Sequence, residues 1–269
     1  MTNRNNENWA LVTGASSGIG KDFSMELAKR GWNVLLVARR EDRLIELKKE
    51  IEGKFHVQAE VVRADLSVAK DREIVIGYFA KYSIRFLVNN AGLQSRGKFD
   101  EKDLAESFGL IDLNITALVH LAQAAILHFK KTDTKCYLLN VGSLNSYIAT
   151  GDSAIYSGTK AFVKSFSLAM SEELKETKIS CTCFCPGGTE SEIMLNSGVS
   201  LTPRGEKFLM PSALVARLGI AATLNEKHAA IPGFSNKFSV FLSKILPETL
   251  TTSISSRILR SVMVPDSKM

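Results

Sequence analysis

Tyr156 and Lys160 stand four residues apart, separated by Ser157-Gly158-Thr159. On a helix, positions i and i+4 share a face, so the phenol and the ammonium become neighbours. A tyrosine ordinarily titrates near ~10 and exchanges protons poorly at neutral pH. One fixed positive charge about 5 Å away, at an effective dielectric of ~20, favours phenolate by ~3 kcal/mol, a little over 2 pKa units. The pair is therefore a candidate general acid or base. Its plain alternative is an exposed helical Tyr beside an exposed Lys, and the pentapeptide alone does not decide between them.

The decision rests on the elements that would position the pair. Trp9 to Thr13 is a short apolar run ending in Gly14-Ala15-Ser16-Ser17-Gly18-Ile19-Gly20. Phe23, Met25, Leu27 and Ala28 then follow at helical spacing up to Gly31. The pattern is strand, glycine turn and helix, closed by a glycine stop. Val34 to Ala38 is continuously apolar and predicts a second strand buried on both faces. Glu41 to Glu52 predicts a helix, Val57 to Val62 a third strand leading to Asp65-Leu66, and Val68 to Tyr82 another helix. Ile84 to Val88 is a fourth strand that ends in Asn89-Asn90-Ala91-Gly92. A long apolar-periodic stretch from about Leu104 to Phe129 carries Asn114. Cys136 to Val141 is a fifth strand with Ser143 at its carboxyl end, and the Tyr156 helix runs to about Thr177. Ile179 to Cys185 is a sixth strand, followed by Pro186-Gly187-Gly188-Thr189 and a polar loop to about Met210. A helix opens at Pro211-Ser212, and Ala229 to Ile231 is the seventh strand. Such alternation predicts an α/β fold, a doubly wound parallel sheet of the Rossmann type with about seven strands and helices on both faces. Residues 1–269 read as one domain, with 234–269 as a C-terminal helical extension split by Pro247. That extension is expected to pack on the domain or on a partner subunit. A substrate lid and a peripheral membrane contact are its alternatives, since Lys237, Lys244, Arg257 and Arg260 flank the apolar stripe.

Composition narrows the class without naming it. Lys and Arg outnumber Asp and Glu by 34 to 28 in 269 residues. That excess suits anionic ligands such as nucleotides but lacks the dense basic runs of a nucleic-acid binder. Cys181, Cys183 and Cys185 alternate along one strand and read as buried thiols rather than a zinc cage. His56, His120, His128 and His228 lie away from every motif, and no metal site is expected. The polar start, Met1 to Asn8, and the lack of an apolar run of ~18 residues predict a cytoplasmic soluble protein.

The glycine turn follows a strand and opens a helix, where backbone N–H groups receive a pyrophosphate. Gly14 permits the bend, Gly18 admits the phosphates and Gly20 brings helix against sheet. At the end of the second strand, where a carboxylate would bind the ribose hydroxyl of NAD, stand Arg39 and Arg40, with Arg43 one turn on. Guanidinium groups bind a 2′-phosphate with two-pronged hydrogen bonds, so NADPH is expected over NAD. The alternative is a solvated helix start with Glu41 and Asp42.

In order, Thr13 to Gly20, Asp65, Asn89 to Gly92, Asn114, Ser143, Tyr156 with Lys160, and Pro186-Gly187 resemble the short-chain dehydrogenase/reductases, in their compact oxidoreductase branch. The resemblance covers about Trp9 to Pro232. It implies Tyr156 as general acid, Lys160 as its electrostatic partner and ribose ligand, Ser143 as donor to the substrate oxygen, and Asn114 as holder of a relay water. The implied cofactor contacts are Gly14, Ser16, Ser17, Gly18, Ile19 and Gly20 for the phosphates, and Asp65 with Leu66 at adenine. Asn90, Ala91 and Gly92 would lie at the ribose, and Pro186, Gly187 and Thr189 at the carboxamide. Where the family often has a threonine this chain has Glu190, so either Thr189 or Ser191 is left to serve the carboxamide. The implied reaction is hydride transfer between nicotinamide and a carbonyl or secondary alcohol. Its rivals are an NAD-linked alcohol dehydrogenase and a non-catalytic NADPH-sensing regulator. Met194, Leu195, Phe208 and Leu209 suggest an apolar or acyl-chain substrate, with core packing as the alternative. The resemblance also implies a homodimer or homotetramer.

Overall fold

The computed structural model describes residues 8–190, 192 and 199–265. Residues 1–7, on which the expectation of a polar start falls, lie outside that range, as do Ser191, Met194 and Leu195. Seven parallel strands form one sheet in the order β3-β2-β1-β4-β5-β6-β8. They are β1 (Trp9–Thr13), β2 (Asn33–Ala38), β3 (Ala59–Arg63), β4 (Ile84–Asn89), β5 (Cys136–Val141), β6 (Ile179–Phe184) and β8 (Ala229–Ala230). Between them run α1 (Gly18–Lys29), α2 (Glu41–Lys54), α3 (Ala69–Gly77), α4 (Leu104–Ile111), α5 (Ala117–Phe129) and α6 (Ala154–Glu173).

The continuous apolar strands are explained by two cores, one on each face of the sheet. Trp9 and Leu11 of β1 point to the side covered by α3 and α5, where Val75, Leu121, Ala125 and Phe129 are buried. Ala10 and Val12 point to the other side, against Phe23 and Leu27 of α1, Leu44 and Ile51 of α2, and Val215 and Ile220 of the Ser212–Leu224 helix. Each fully buried Leu or Phe contributes roughly 1.5–3 kcal/mol, and a strand that feeds both cores has no polar face to alternate with.

Several boundaries differ from the sequence reading. The third strand starts at Ala59 rather than Val57, and the helix expected to reach Tyr82 ends at Gly77 in a 3₁₀ turn, Tyr78–Ala80. The Leu104–Phe129 stretch is one helical run interrupted by a π turn at Asp112–Thr116. By length and composition it is apolar enough to cross a membrane, which corrects the expectation that no run reaches that length. Leu110, Ala117, Leu121 and Phe129 are nevertheless buried in the fold, as in a core helix. The loop expected up to Met210 contains β7 (Val199–Leu201) and a short helix, Pro203–Glu206. β7 pairs antiparallel with β9 (Met263–Pro265), which ties the end of the tail to that loop. The tail itself forms two helices, Phe234–Ile245 and Glu248–Val262, parted at Pro247.

Candidate active site

The carboxyl ends of β1, β4, β5 and β6 meet at one edge of the sheet, and the strand order reverses between β1 and β4, the position at which open α/β sheets bind ligands. β1 runs into the glycine turn with Gly14 at φ +68° and Gly18 at +53°, a left-handed backbone that side chains resist. A Cβ on Gly20 would stand 2.1 Å from the Gly14 carbonyl oxygen, so only glycine lets α1 start so close to the strand. Ser17 begins α1 without a side-chain capping bond, and no acidic residue stands in the first turn. The helix thus presents N–H donors and a positive dipole end to an anion.

Gly14, Ser16, Ser17, Gly18, Ile19 and Gly20 line a cleft of about 430 Å³ together with Arg39, Arg40, Asp65, Leu66, Asn90, Ala91 and Gly92. β4 is latched to β1 here. Asn90 donates through Nδ2 to the Thr13 carbonyl at 2.9 Å, and the Thr13 hydroxyl accepts from the Asn90 and Ala91 backbone N–H groups at 2.9 Å each. Asp65 accepts from the Ser67 N–H at 3.1 Å and hydroxyl at 2.7 Å, which shapes the turn before α3.

The three arginines do not act alike. Arg39 is exposed, and its guanidinium lies 3.8 Å from Asp65. Arg40 donates to the Ser17 hydroxyl at 2.7 Å and the Ser16 hydroxyl at 3.1 Å. Arg40 and Arg43 then share one carboxylate, Glu192, at 2.7 and 2.6 Å. Hydrogen bonding from Arg40, and then from Arg43, holds the Glu192 carboxyl below its ordinary range, against the opposing effect of burial. The two guanidiniums therefore converge on a single anion beside the Arg39–Arg40 end of the cleft.

At the other end, a Cβ on Gly92 would stand 3.5 Å from Lys160 Nζ and 3.2 Å from Asn114 Oδ1, so this wall of the cleft backs closely onto the candidate catalytic group. Asn114 sits in the π turn, 2% exposed. Its Nδ2 donates to the Leu93 carbonyl at 2.9 Å and to the Thr159 hydroxyl at 3.1 Å, and its Oδ1 accepts from the Leu93 N–H at 2.9 Å. Both amide hydrogens are committed, which leaves one Oδ1 lone pair for a water. Ser143, after β5, caps a short 3₁₀ turn, with its hydroxyl accepting from the Asn145 N–H at 3.2 Å.

Tyr156 is buried on α6, with the Ser143 side chain beside its hydroxyl. Lys160 Nζ donates to the Val141 carbonyl at 2.9 Å and lies 5.8 Å from the Tyr156 ring centroid. The electrostatics differ from the expectation that Lys160 would pull the phenol down. Burial pushes the Tyr156 phenol above its ordinary value, opposed by the Ser143 side chain and by the Arg96 cation. Burial also lowers Lys160 to about 8, so the ammonium is itself held at a cost in this pocket.

The carboxamide candidates sit at the end of β6. The Pro186 carbonyl accepts from Leu144 N–H at 2.9 Å, which packs this loop beside the Ser143 turn. Thr189 is buried and donates to the Gly187 carbonyl at 3.0 Å. Ser191, the alternative, lies outside the described residues.

Two groups that the sequence reading does not single out enter the site. Glu192 reaches the arginines across the cleft. Arg96 is partly buried, with its Nε and Nη2 standing 3.1 and 3.3 Å from the Gln94 side-chain amide, and has no carboxylate within ion-pair distance among the described residues. The available signal is position: Arg96 follows the Asn89 to Gly92 turn at the ligand-binding edge of the sheet.

A family model described as short chain dehydrogenase matches residues 8–199. The chain is 36% identical over 199 residues to a very-long-chain 3-oxoacyl-CoA reductase of Meyerozyma guilliermondii, covering 70% of this chain and 55% of that protein. The chain thus spans about half the length of the curated relatives it matches. A short-chain dehydrogenase from Sphingobium yanoikuyae in complex with NADPH superposes with TM-score 0.80 at 29% identity, over 87% of this chain and 91% of that one. A 7beta-hydroxysteroid dehydrogenase superposes with TM-score 0.84 at 25% identity, over 93% and 97%.

Proposed function

The chain belongs to the short-chain dehydrogenase family of oxidoreductases, and from that premise we propose that it is an NADPH-dependent ketone reductase, reversible as a secondary-alcohol dehydrogenase. The observation that carries this reading is buried Tyr156 with Ser143 and Lys160 beside it, behind the Gly92 wall of a cleft whose far end holds Arg39 and Arg40, with Arg43 bound to the same Glu192 as Arg40. The residues fit a phosphorylated dinucleotide: the glycine turn for its diphosphate, the two guanidiniums for a 2′-phosphate in place of Glu192. When bound, that cofactor supplies the hydride.

Tyr156 holds the proton at its phenol oxygen, where burial keeps it protonated across neutral pH. It donates this proton to the substrate oxygen, while the Ser143 hydroxyl supplies a second hydrogen bond to the same atom. Two donors aimed at one oxygen stabilise the alkoxide as it develops. Lys160 adds positive potential beside the phenol, and Asn114 locks the Gly92-Leu93 turn to α6 so that the cleft and the phenol keep their spacing.

For substrate we propose an apolar ketone, with 3-oxoacyl thioesters first, as the likeness to the very-long-chain 3-oxoacyl-CoA reductases suggests. A screen of NADPH oxidation over 3-oxoacyl thioesters, bulky ketones, steroids and sugars tests it. Turnover of thioesters with longer acyl chains is expected to exceed that of sugars. Tight NADPH binding with no turnover on any member would overturn the enzymatic reading in favour of a sensor.

A further inference from the structure

The tail beyond Pro232 carries more exposed apolar side chain than its packing requires. On the Phe234–Ile245 helix, Phe234, Phe238, Phe241 and Ile245 are 85, 51, 57 and 64% exposed. Their spacing of four, three and four residues puts them in one stripe. On the Glu248–Val262 helix, Leu250, Ile254 and Ile258 repeat every four residues and are 46, 42 and 57% exposed. The inner faces are already taken. Val240 is buried beneath the first helix. The second is fastened to the loop before α6 by three polar links. The Ser256 hydroxyl accepts from Gly151 N–H at 2.7 Å, the Ser255 hydroxyl donates to the Ala149 carbonyl at 3.1 Å, and Arg260 pairs with Asp152 at 2.7 Å. Neither stripe is left free to roll inward. An apolar surface of this extent on a folded chain marks an interaction site.

Charge selects the occupant. Lys237, Lys244 and Arg257 border the stripes, and none of them has a carboxylate within ion-pair distance among the described residues. Glu248 is the one acidic residue of the two helices. A second copy packed face to face would bring these cations against their own equivalents with almost nothing to neutralise them. A surface of anionic headgroups complements them, while the phenylalanines enter the acyl boundary and the lysines keep their ammonium groups in water. We propose that the two tail helices form a docking face for an anionic lipid surface.

The placement of the face gives this docking a use. Asn236 on the first helix donates to the Pro232 carbonyl at 2.8 Å and leaves no room for a Cβ on Gly187, which would approach its Oδ1 to 2.6 Å. The second helix is bonded to Gly151 and Asp152, just ahead of the helix that bears Tyr156. A chain docked through these stripes holds the rim of its candidate site near the layer in which apolar ketones dissolve. The inference stands on the tail alone, and its readout needs no turnover, so it fails or holds independently of the proposed reaction.

The test is sedimentation of the full chain with vesicles of phosphatidylcholine alone and of phosphatidylcholine with about a third phosphatidylglycerol. The native chain is expected to bind the mixed vesicles about tenfold or more tightly than the neutral ones, with the difference lost at high salt. Phe238→Ser with Phe241→Ser should cut binding to both by about tenfold. Lys237→Gln with Lys244→Gln, at exposed positions that leave packing untouched, should remove the preference for anionic vesicles. No binding of the native chain, or binding indifferent to headgroup charge, would overturn the proposal. So would light scattering that finds a dimer turned monomeric by the phenylalanine substitutions, which would assign the face to a second copy.

Discussion

On the proposed reading, replacing Arg40 and Arg43 together by Ala should abolish a preference for NADPH over NADH. Both guanidiniums reach the same carboxylate, at 2.7 and 2.6 Å, so one anion at that point engages both. Charge-assisted hydrogen bonds contribute about 1.5–3 kcal/mol each when shielded. These side chains are 39 and 41% exposed, which puts each near or below the lower bound. A 2′-phosphate must also displace Glu192, which the pair already binds. A loss of about 2–3 kcal/mol follows for NADPH, or roughly 30- to 150-fold in kcat/KM, with NADH changed by no more than about twofold. Arg39→Ala is the control: its guanidinium is 62% exposed and 3.8 Å from Asp65, so the ratio of the two cofactors should stay within about twofold of the native value. Glu192→Gln removes the competing anion and should lower KM for NADPH while leaving NADH alone. Initial rates with both cofactors, repeated at high salt to screen the exposed charges, read all four proteins. Equal losses for the two cofactors, or a ratio moved by less than about fivefold, would refute the reasoning.

Tyr156→Phe should lower kcat by about a hundredfold or more, the usual share of a positioned acid, while titration of the protein with NADPH still shows binding; retained turnover would assign the proton to another group. Arg96→Ala removes a cation that opposes the upward push of burial on the phenol, so the pH limb assigned to Tyr156 should move to higher pH, and an unmoved limb would separate Arg96 from it. Lys160 titrates at about 8 in the fold and near 10.5 when unfolded. Between those values the unfolded chain binds the extra proton, so stability rises with pH there. Denaturant midpoints of the native chain compared with Lys160→Met should diverge in favour of the native chain from pH 8 towards 10, by up to about 3 kcal/mol; parallel midpoints would show that the ammonium titrates normally.

Much of the fold was legible because the signals are local and repeated. A strand buried on both faces must be apolar throughout, as β1 and β2 are, and a left-handed turn at Gly14 and Gly18 advertises itself by residue type. Pro247 parts the tail helices where its missing N–H requires. What escaped depends on partners far along the chain. The β7–β9 ribbon joins Val199 to Pro265 through three residues a side, too short to leave a period. The π turn at Asn114 changes the hydrogen-bond pattern without changing the apolar spacing. In the site, the order of the motifs carried the resemblance, whereas the electrostatics did not follow from spacing. A rule about i and i+4 neighbours names Lys160 as the charge beside Tyr156, but says nothing of how deeply both are buried or of Arg96 arriving from another strand end. Glu192 is likewise an ordinary loop acid until the cleft brings it to Arg40 and Arg43.

The π turn also bears on how such a site is held together. A wider turn accommodates one residue more than an α-helix of the same rise, so the helical halves on either side keep their facing, with Leu110 before it and Ala117 and Leu121 after it still in the core. The Asn114 amide set in that turn joins Leu93 to Thr159, so replacing Asn114 by Ala would part them without shortening the run or turning either half. One side chain thus gives a helix that packs the core a second task, fixing the spacing between the Gly92-Leu93 turn and the helix that bears Tyr156.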